Sequence, residues 1–191
     1  MKKVIILLLL VLLPFSLMAA PVFQVGGIMT YNKAVTQLSG DEFEDFTNNF
    51  SFGVDFRLNL FKSWFSLDIP ATLGFGEKLF TLGLFPSANI NVPLKFVDIA
   101  VGVGVQIGFS KTGDLWLING LPVDEFSEAF TGQRLLYRAA VTANLGAFGL
   151  GAFVTVPSKG AFSDFDATPS FEETKGGIAV LIGIGENSSL F

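Results

Sequence analysis

Cysteine and histidine are both absent from the 191 residues. Without cysteine there is no disulfide framework and no thiolate metal site. Without histidine the commonest metal ligand and general base is missing. The chain also lacks a GxSxG elbow and a phosphate-cradling glycine loop; Gly102 and Gly104 are alternate residues of a strand, not a nucleotide fingerprint. No catalytic residue, cofactor or metal site is expected, and the chain does not read as an enzyme. Excess positive charge is lacking too: the formal net charge is −5, which argues against a nucleic-acid partner. Long apolar runs are scarce. Past residue 20 none reaches the ~20 residues a membrane-spanning helix requires.

What the chain has instead is phenylalanine and glycine, 22 and 21 residues respectively, in a sequence that is 50% hydrophobic. A hydrophobic water-soluble domain normally favours Leu, Ala and Val over such a load. The first 20 residues read as a signal peptide. Lys2-Lys3 form a basic start, Val4 to Leu13 an apolar core, Pro14 a break, and Met18-Ala19-Ala20 a small-residue end with cleavage after Ala19 or Ala20. The expected division is residues 1–20 as a leader for export and 21–191 as a single domain. Losing Lys2 and Lys3 would leave 10 basic against 17 acidic side chains, a net charge of −7.

The dominant pattern in 21–191 is strict alternation, the period of a β-strand with unlike faces. It occurs over residues 22–31, 50–60, 64–75, 79–92, 97–109, 135–145, 148–156 and 176–185. In the second span Phe50, Phe52, Val54, Phe56, Leu58 and Leu60 alternate with Ser51, Gly53, Asp55, Arg57 and Asn59. Connections 32–49, 110–134 and 157–175 are long and polar, whereas 61–63, 93–96 and 146–147 are short; the short link at 76–78 is the exception. Long loops at one end and short turns at the other are the rhythm of outer-membrane barrels. A sheet in lipid must also close, because an unpaired edge there has no hydrogen-bond partner. The fold class expected is all-β: a closed eight-stranded antiparallel up-and-down transmembrane β-barrel.

Alternation does not say which face is inside, and a soluble periplasmic lipocalin-like binding barrel has the same period with its apolar face inward. The composition of the polar face decides. A face in water carries many Lys and Glu, yet these eight spans contain neither. The polar face is Gly, Ser, Thr, Asn and Ala with five charges, Asp55, Arg57, Asp68, Asp98 and Arg138. The apolar face is therefore expected to meet lipid.

These features resemble the small eight-stranded outer-membrane proteins typified by the OmpA transmembrane domain, OmpX and OmpW. The resemblance is architectural and spans residues 21–191, with the aromatic Phe191 in the terminal position that the outer-membrane assembly machinery recognises in that class. It implies outer-membrane lipid and that machinery as partners.

An eight-stranded barrel has room for little beyond its own side chains, and two lumen readings stay open. In the first, Asp55, Arg57, Asp68, Asp98 and Arg138 form a buried charge network that plugs the barrel, as unpaired buried charges are too costly. In the second, which resemblance to OmpW implies, the barrel is a narrow conduit for small apolar solutes. Its apolar lumen would be Trp64, Phe85, Leu136, Phe153 and Leu181 beside a glycine-rich wall. Pro70 and Pro86 would mark a lateral seam: with a turn between Glu77 and Lys78, Pro70 faces Phe85 and Pro86 faces Ile69, two prolines without N–H at one height. Acidic loop residues, among them Asp41, Glu42, Asp124, Glu125, Asp164, Asp166, Glu172 and Glu173, are expected to be a solvated surface, with an external ligand as the alternative.

Overall fold

Alternation of unlike residues closes this chain on itself. The computed structural model describes residues 21–40, 46–61, 63–75, 80–94, 96–112, 115–118, 121–122, 132–145, 147–164 and 166–184. The expected leader, Phe191 and the acids of loops 41–45 and 123–131 lie outside them. The wall is built from β1 (Phe23–Tyr31), β2 (Phe50–Leu60), β3 (Phe65–Phe75), β4 (Phe80–Leu84 and Ser87–Pro93), β5 (Val97–Val105 and Ile107–Thr112), β6 (Arg134–Leu145), β7 (Phe148–Ala161) and β8 (Lys175–Ile184). Each strand pairs antiparallel with the next, and β1 pairs with β8 from Phe23↔Ile184 to Thr30↔Gly177, which closes the barrel. The fold is a closed eight-stranded up-and-down β-barrel. Both ends of the wall and the connections after β2, β4 and β6 lie at one rim, here called the turn end; the connections after β1, β3, β5 and β7 lie at the other, the loop end.

Burial runs opposite to that of a water-soluble protein. Inward positions are even in β1, β3, β5 and β6 and odd in β2, β4, β7 and β8, so Asp55, Asp68 and Leu181 are fully buried. Outward positions carry Phe56, Ile69, Val101, Val141, Leu150 and Val180, and Val101 is 61% exposed. A lipocalin-type barrel would place these residues inside. Polar side chains gathered within a narrow cylinder can satisfy one another, while an apolar belt this continuous is stable only against lipid. Phe61, Trp64, Phe65, Phe96 and Phe148 stand exposed around the turn end, where aromatic rings favour the membrane–water boundary.

Two inward-facing glycines mark where neighbouring strands crowd most. A Cβ on Gly26 would strike the Val180 carbonyl, and one on Gly53 the Ala71 carbonyl. The outward neighbour Gly27 faces open space. Glycine is thus required on the inner surface and optional one residue away.

The strands reach further toward the loop end than alternation indicated. β7 continues five residues beyond the expected end at 156, to Ala161, and a short ribbon, Leu115–Ile118 with Leu121–Pro122, extends β5 where a loop was expected. The longer strands take in Lys111, Lys159 and Lys175, correcting the lysine-free reading. A register shift opens between Arg134 and Leu136 opposite Pro157, and Ser158 Oγ accepts the Leu135 N–H at 3.1 Å. Ladder pairing above the belt needs no apolar face, so period two fades there.

Candidate functional site: the barrel interior

Four of the five expected charges meet in the bore. Asp55 and Arg57 come from β2, Asp68 from β3 and Arg138 from β6. Arg57 Nε donates to Asp68 Oδ2 at 3.1 Å, and Arg138 Nη1 donates to the same oxygen. Asp55 Oδ2 stands 3.5 Å from Arg138 Nη2 and 4.0 Å from Arg57 Nη2. Arg57 Nη1 also donates to Thr142 Oγ1 at 3.3 Å. Two carboxylates and two guanidiniums cancel, which is what permits four charges with at most 6% side-chain exposure in one layer. The cluster is not saturated: both Asp55 oxygens, Asp68 Oδ1 and Arg138 Nε have no hydrogen-bond partner among the described residues.

Asp98 stands apart. It lies toward the turn end and accepts the Asn144 amide at 2.6 Å, with no ion pair to either arginine within 4.0 Å. The turn-end half is otherwise filled by amides and hydroxyls. Asn59 donates to Gln24 at 3.2 Å and to the Pro21 carbonyl at 2.7 Å, and Asn89 donates to Ser66 at 3.2 Å.

The expected apolar set divides in three. Phe85, Leu136 and Phe153 come together with Pro70 and Ile28 around a small chamber of about 20 Å³, directly beside Arg138. The Arg138 guanidinium lies over the Phe153 ring, 5.2 Å from its centroid, a cation–π contact joining the charge layer to the apolar one. Leu181 is fully buried but does not line that chamber. Trp64 is not in the lumen. It sits in the β2–β3 turn with 46% exposed, because the chain leaves the ladder before its inward position is enclosed.

Above the apolar chamber the bore widens into a vestibule of about 400 Å³, whose walls include Thr30, Ser51, Thr72, Phe85, Gln106 and Thr155. A second chamber of about 270 Å³ shares Gln106, Thr155 and Lys175 with it and is bounded by Arg134, Leu136 and Glu173. Arg134 and Glu173 pair two-pronged at 2.8 and 2.9 Å, and that hydrogen-bonded pairing holds the Glu173 carboxyl below its ordinary range. Lys175 escaped the sequence reading by one residue. It is the next odd, inward position of β8, just before the expected start at 176. Ile28 was missed because an apolar residue on a polar face carries no contrast.

Pro70 and Pro86 do not weaken one seam. β3 and β4 keep a single register from Phe75↔Phe80 to Phe65↔Ile90, and Phe85 N donates to the Pro70 carbonyl at 2.9 Å. Val105 N donates to the Pro86 carbonyl at 3.1 Å. In an antiparallel ladder the N–H and C=O of a residue point to the same neighbour. Pro70 therefore removes one donor from the β3–β4 seam and Pro86 one from the β4–β5 seam. The two losses flank β4 on opposite sides, and neither produces a bulge.

Three of the described loop-end acids serve local structure. Asp164 accepts the Ala161 N–H at 3.3 Å, Asp166 accepts the Thr168 N–H at 3.0 Å, and Glu173 takes Arg134.

A closed barrel with an apolar outer belt and a polar interior crossed by paired charges is a small transmembrane β-barrel. The crystal structure of Neisserial surface protein A (NspA) has the same fold, with a TM-score of 0.51 and 13% sequence identity over 86% of this chain and 99% of that one. No protein-family model and no curated protein sequence matches the chain.

Proposed function

We propose that the chain is a non-enzymatic outer-membrane barrel whose lumen is closed at mid-height and whose working surface is the loop end. The observation carrying this reading is the Asp55–Arg57–Asp68–Arg138 layer bridging the bore. The chamber directly above it, about 20 Å³, is close to the ~10–15 Å³ that one water needs. A solute entering the vestibule meets that apolar floor and then four mutually paired charges. The alternative, a conduit for small apolar solutes leaving sideways past Pro70 and Pro86, has less support, since the ladder keeps its register across both prolines. Outer-membrane placement rests on the apolar belt, the aromatic rim and the leader-like residues 1–20. The named surface location of the Neisserial protein agrees with it.

The test is reconstitution of the refolded protein into planar lipid bilayers. The closed reading expects no steady single-channel steps, together with a heat-modifiable gel shift that reports a folded barrel. Stable, discrete conductance by the unmodified protein would overturn it.

A further inference from the structure

We infer that the vestibule is a binding site for a small amphipathic monocarboxylate, whose head is held by Lys175 and whose apolar end rests on Phe85, Leu136 and Phe153. The inference goes beyond a closed barrel: it assigns the outer half of the bore a ligand class.

Charge is the first argument. The residues lining the two large chambers include three ionisable side chains, Arg134, Glu173 and Lys175. Arg134 and Glu173 neutralise one another through two hydrogen bonds. Lys175 faces inward across from Thr155 on β7 and has no ion pair within 4.0 Å among the described residues. Glu173 also acts electrostatically on Lys175, so the three side chains leave one net positive charge on the walls of this space. Its partner is a single negative charge, since a second would have no counterpart on these walls.

Polarity along the bore is the second argument. Hydroxyl and amide groups, Thr30, Ser51, Thr72, Gln106 and Thr155, line the wide part together with Leu82, Phe85 and Phe109. Beneath it the surface turns apolar at Phe85, Leu136 and Phe153. Thr155 lines all three chambers, so the cation and the apolar floor adjoin. Volume is the third. The two chambers, about 400 and 270 Å³, fall near the lower end of the ~300–1,000 Å³ of small-molecule sites. The floor chamber of about 20 Å³ admits no long tail. A carboxylate on one aromatic ring or a short chain meets these conditions.

The test uses the refolded barrel in lipid nanodiscs, benzoate as probe, and titration by calorimetry or saturation-transfer NMR. Benzamide supplies the same ring without the charge, and glucuronate the charge without an apolar face. Benzoate is expected to bind saturably. Lys175→Gln should weaken it at least about tenfold, the loss of one charge-assisted hydrogen bond, with an unchanged heat-modifiable gel shift. Benzamide and glucuronate should each bind more weakly than benzoate. Unsaturable benzoate binding, equal binding by K175Q, or preference for either analogue would overturn the inference. Thr155 of β7 stands between Lys175 and Arg138 in the ladder, and Lys175 is not a partner in the ion pairs of the bore-closing layer, so K175Q should leave bilayer conductance at zero; failure of the ligand site is thereby distinguishable from failure of the closed-barrel reading.

Discussion

Asp68→Asn is expected to destabilise the barrel more than Asp55→Asn, the other carboxylate neutralisation in the charge layer. The Asp68 carboxylate takes hydrogen bonds from two guanidiniums on two strands, Arg57 Nε at 3.1 Å and Arg138 Nη1. The substitution leaves two buried cations facing one carboxylate. Breaking a buried pair from one side costs about 3–5 kcal/mol, because the surviving charge stays buried. Asp55→Asn creates the same net charge but sacrifices only contacts of 3.5 and 4.0 Å to oxygens without hydrogen bonds. Hydrogen bonds to charged groups contribute about 1.5–3 kcal/mol each. Asp68→Asn should therefore exceed Asp55→Asn by about 2 kcal/mol or more. Neutrality can be restored by adding Arg57→Gln to Asp68→Asn, which leaves Asp55 with Arg138. The pair should then couple favourably in a double-mutant cycle. Urea unfolding from lipid vesicles, followed by tryptophan fluorescence and gel mobility, measures the unmodified protein, the three single variants and the double one. Equal losses for the two aspartate variants, or a double variant no better than additive, would refute the reasoning.

Three further outcomes test other parts of the structure. Gly26→Ala should cost about 1–3 kcal/mol by overpacking against the Val180 carbonyl, whereas Gly27→Ala should be near neutral in the same urea titration. Val101→Arg places a charge on the exposed belt within β5 and should cost about 2–4 kcal/mol in a bilayer, against about 0–1 for Leu145→Arg near the turn end; equal costs would contradict lipid contact graded by depth. Pro86→Ala returns an N–H facing the Val105 carbonyl and should stabilise by about 0.5–1.5 kcal/mol, with slowed amide exchange along β4–β5 and none of that gain along β3–β4.

Much of the wall was legible because lipid and lumen impose opposite demands on alternate residues. The spans of β2 and β6 and the pairing of Pro70 with Phe85 follow from that period and one turn position. The same period located Asp55, Arg57, Asp68 and Arg138 on the inner face. It does not show which inward charges reach one another across the bore: Asp98 shares their parity, yet its height places it with Asn144. Nor does it show which seam each proline interrupts, since the direction of an N–H depends on the register with both neighbours. At the loop end the environment is water on both sides. There Lys159 and Lys175 belong to strands that composition alone assigns to loops.

The contact between Asp68 and Arg138 joins residues 70 apart in the sequence and strands that are not neighbours, since β4 and β5 stand between them. Arg57 to Thr142 and Asp55 to Arg138 likewise cross from β2 to β6, whereas the ladder bonds link each strand only to its neighbours, so a cylinder of ladders alone could fray from one strand inward or flatten into an ellipse. A strut across the diameter resists both. It forms only after β6 has come round to face β3, so it contributes nothing to an isolated hairpin and its full strength to the finished ring. Assembly and collapse of this barrel should accordingly be concerted, with partly closed forms scarce.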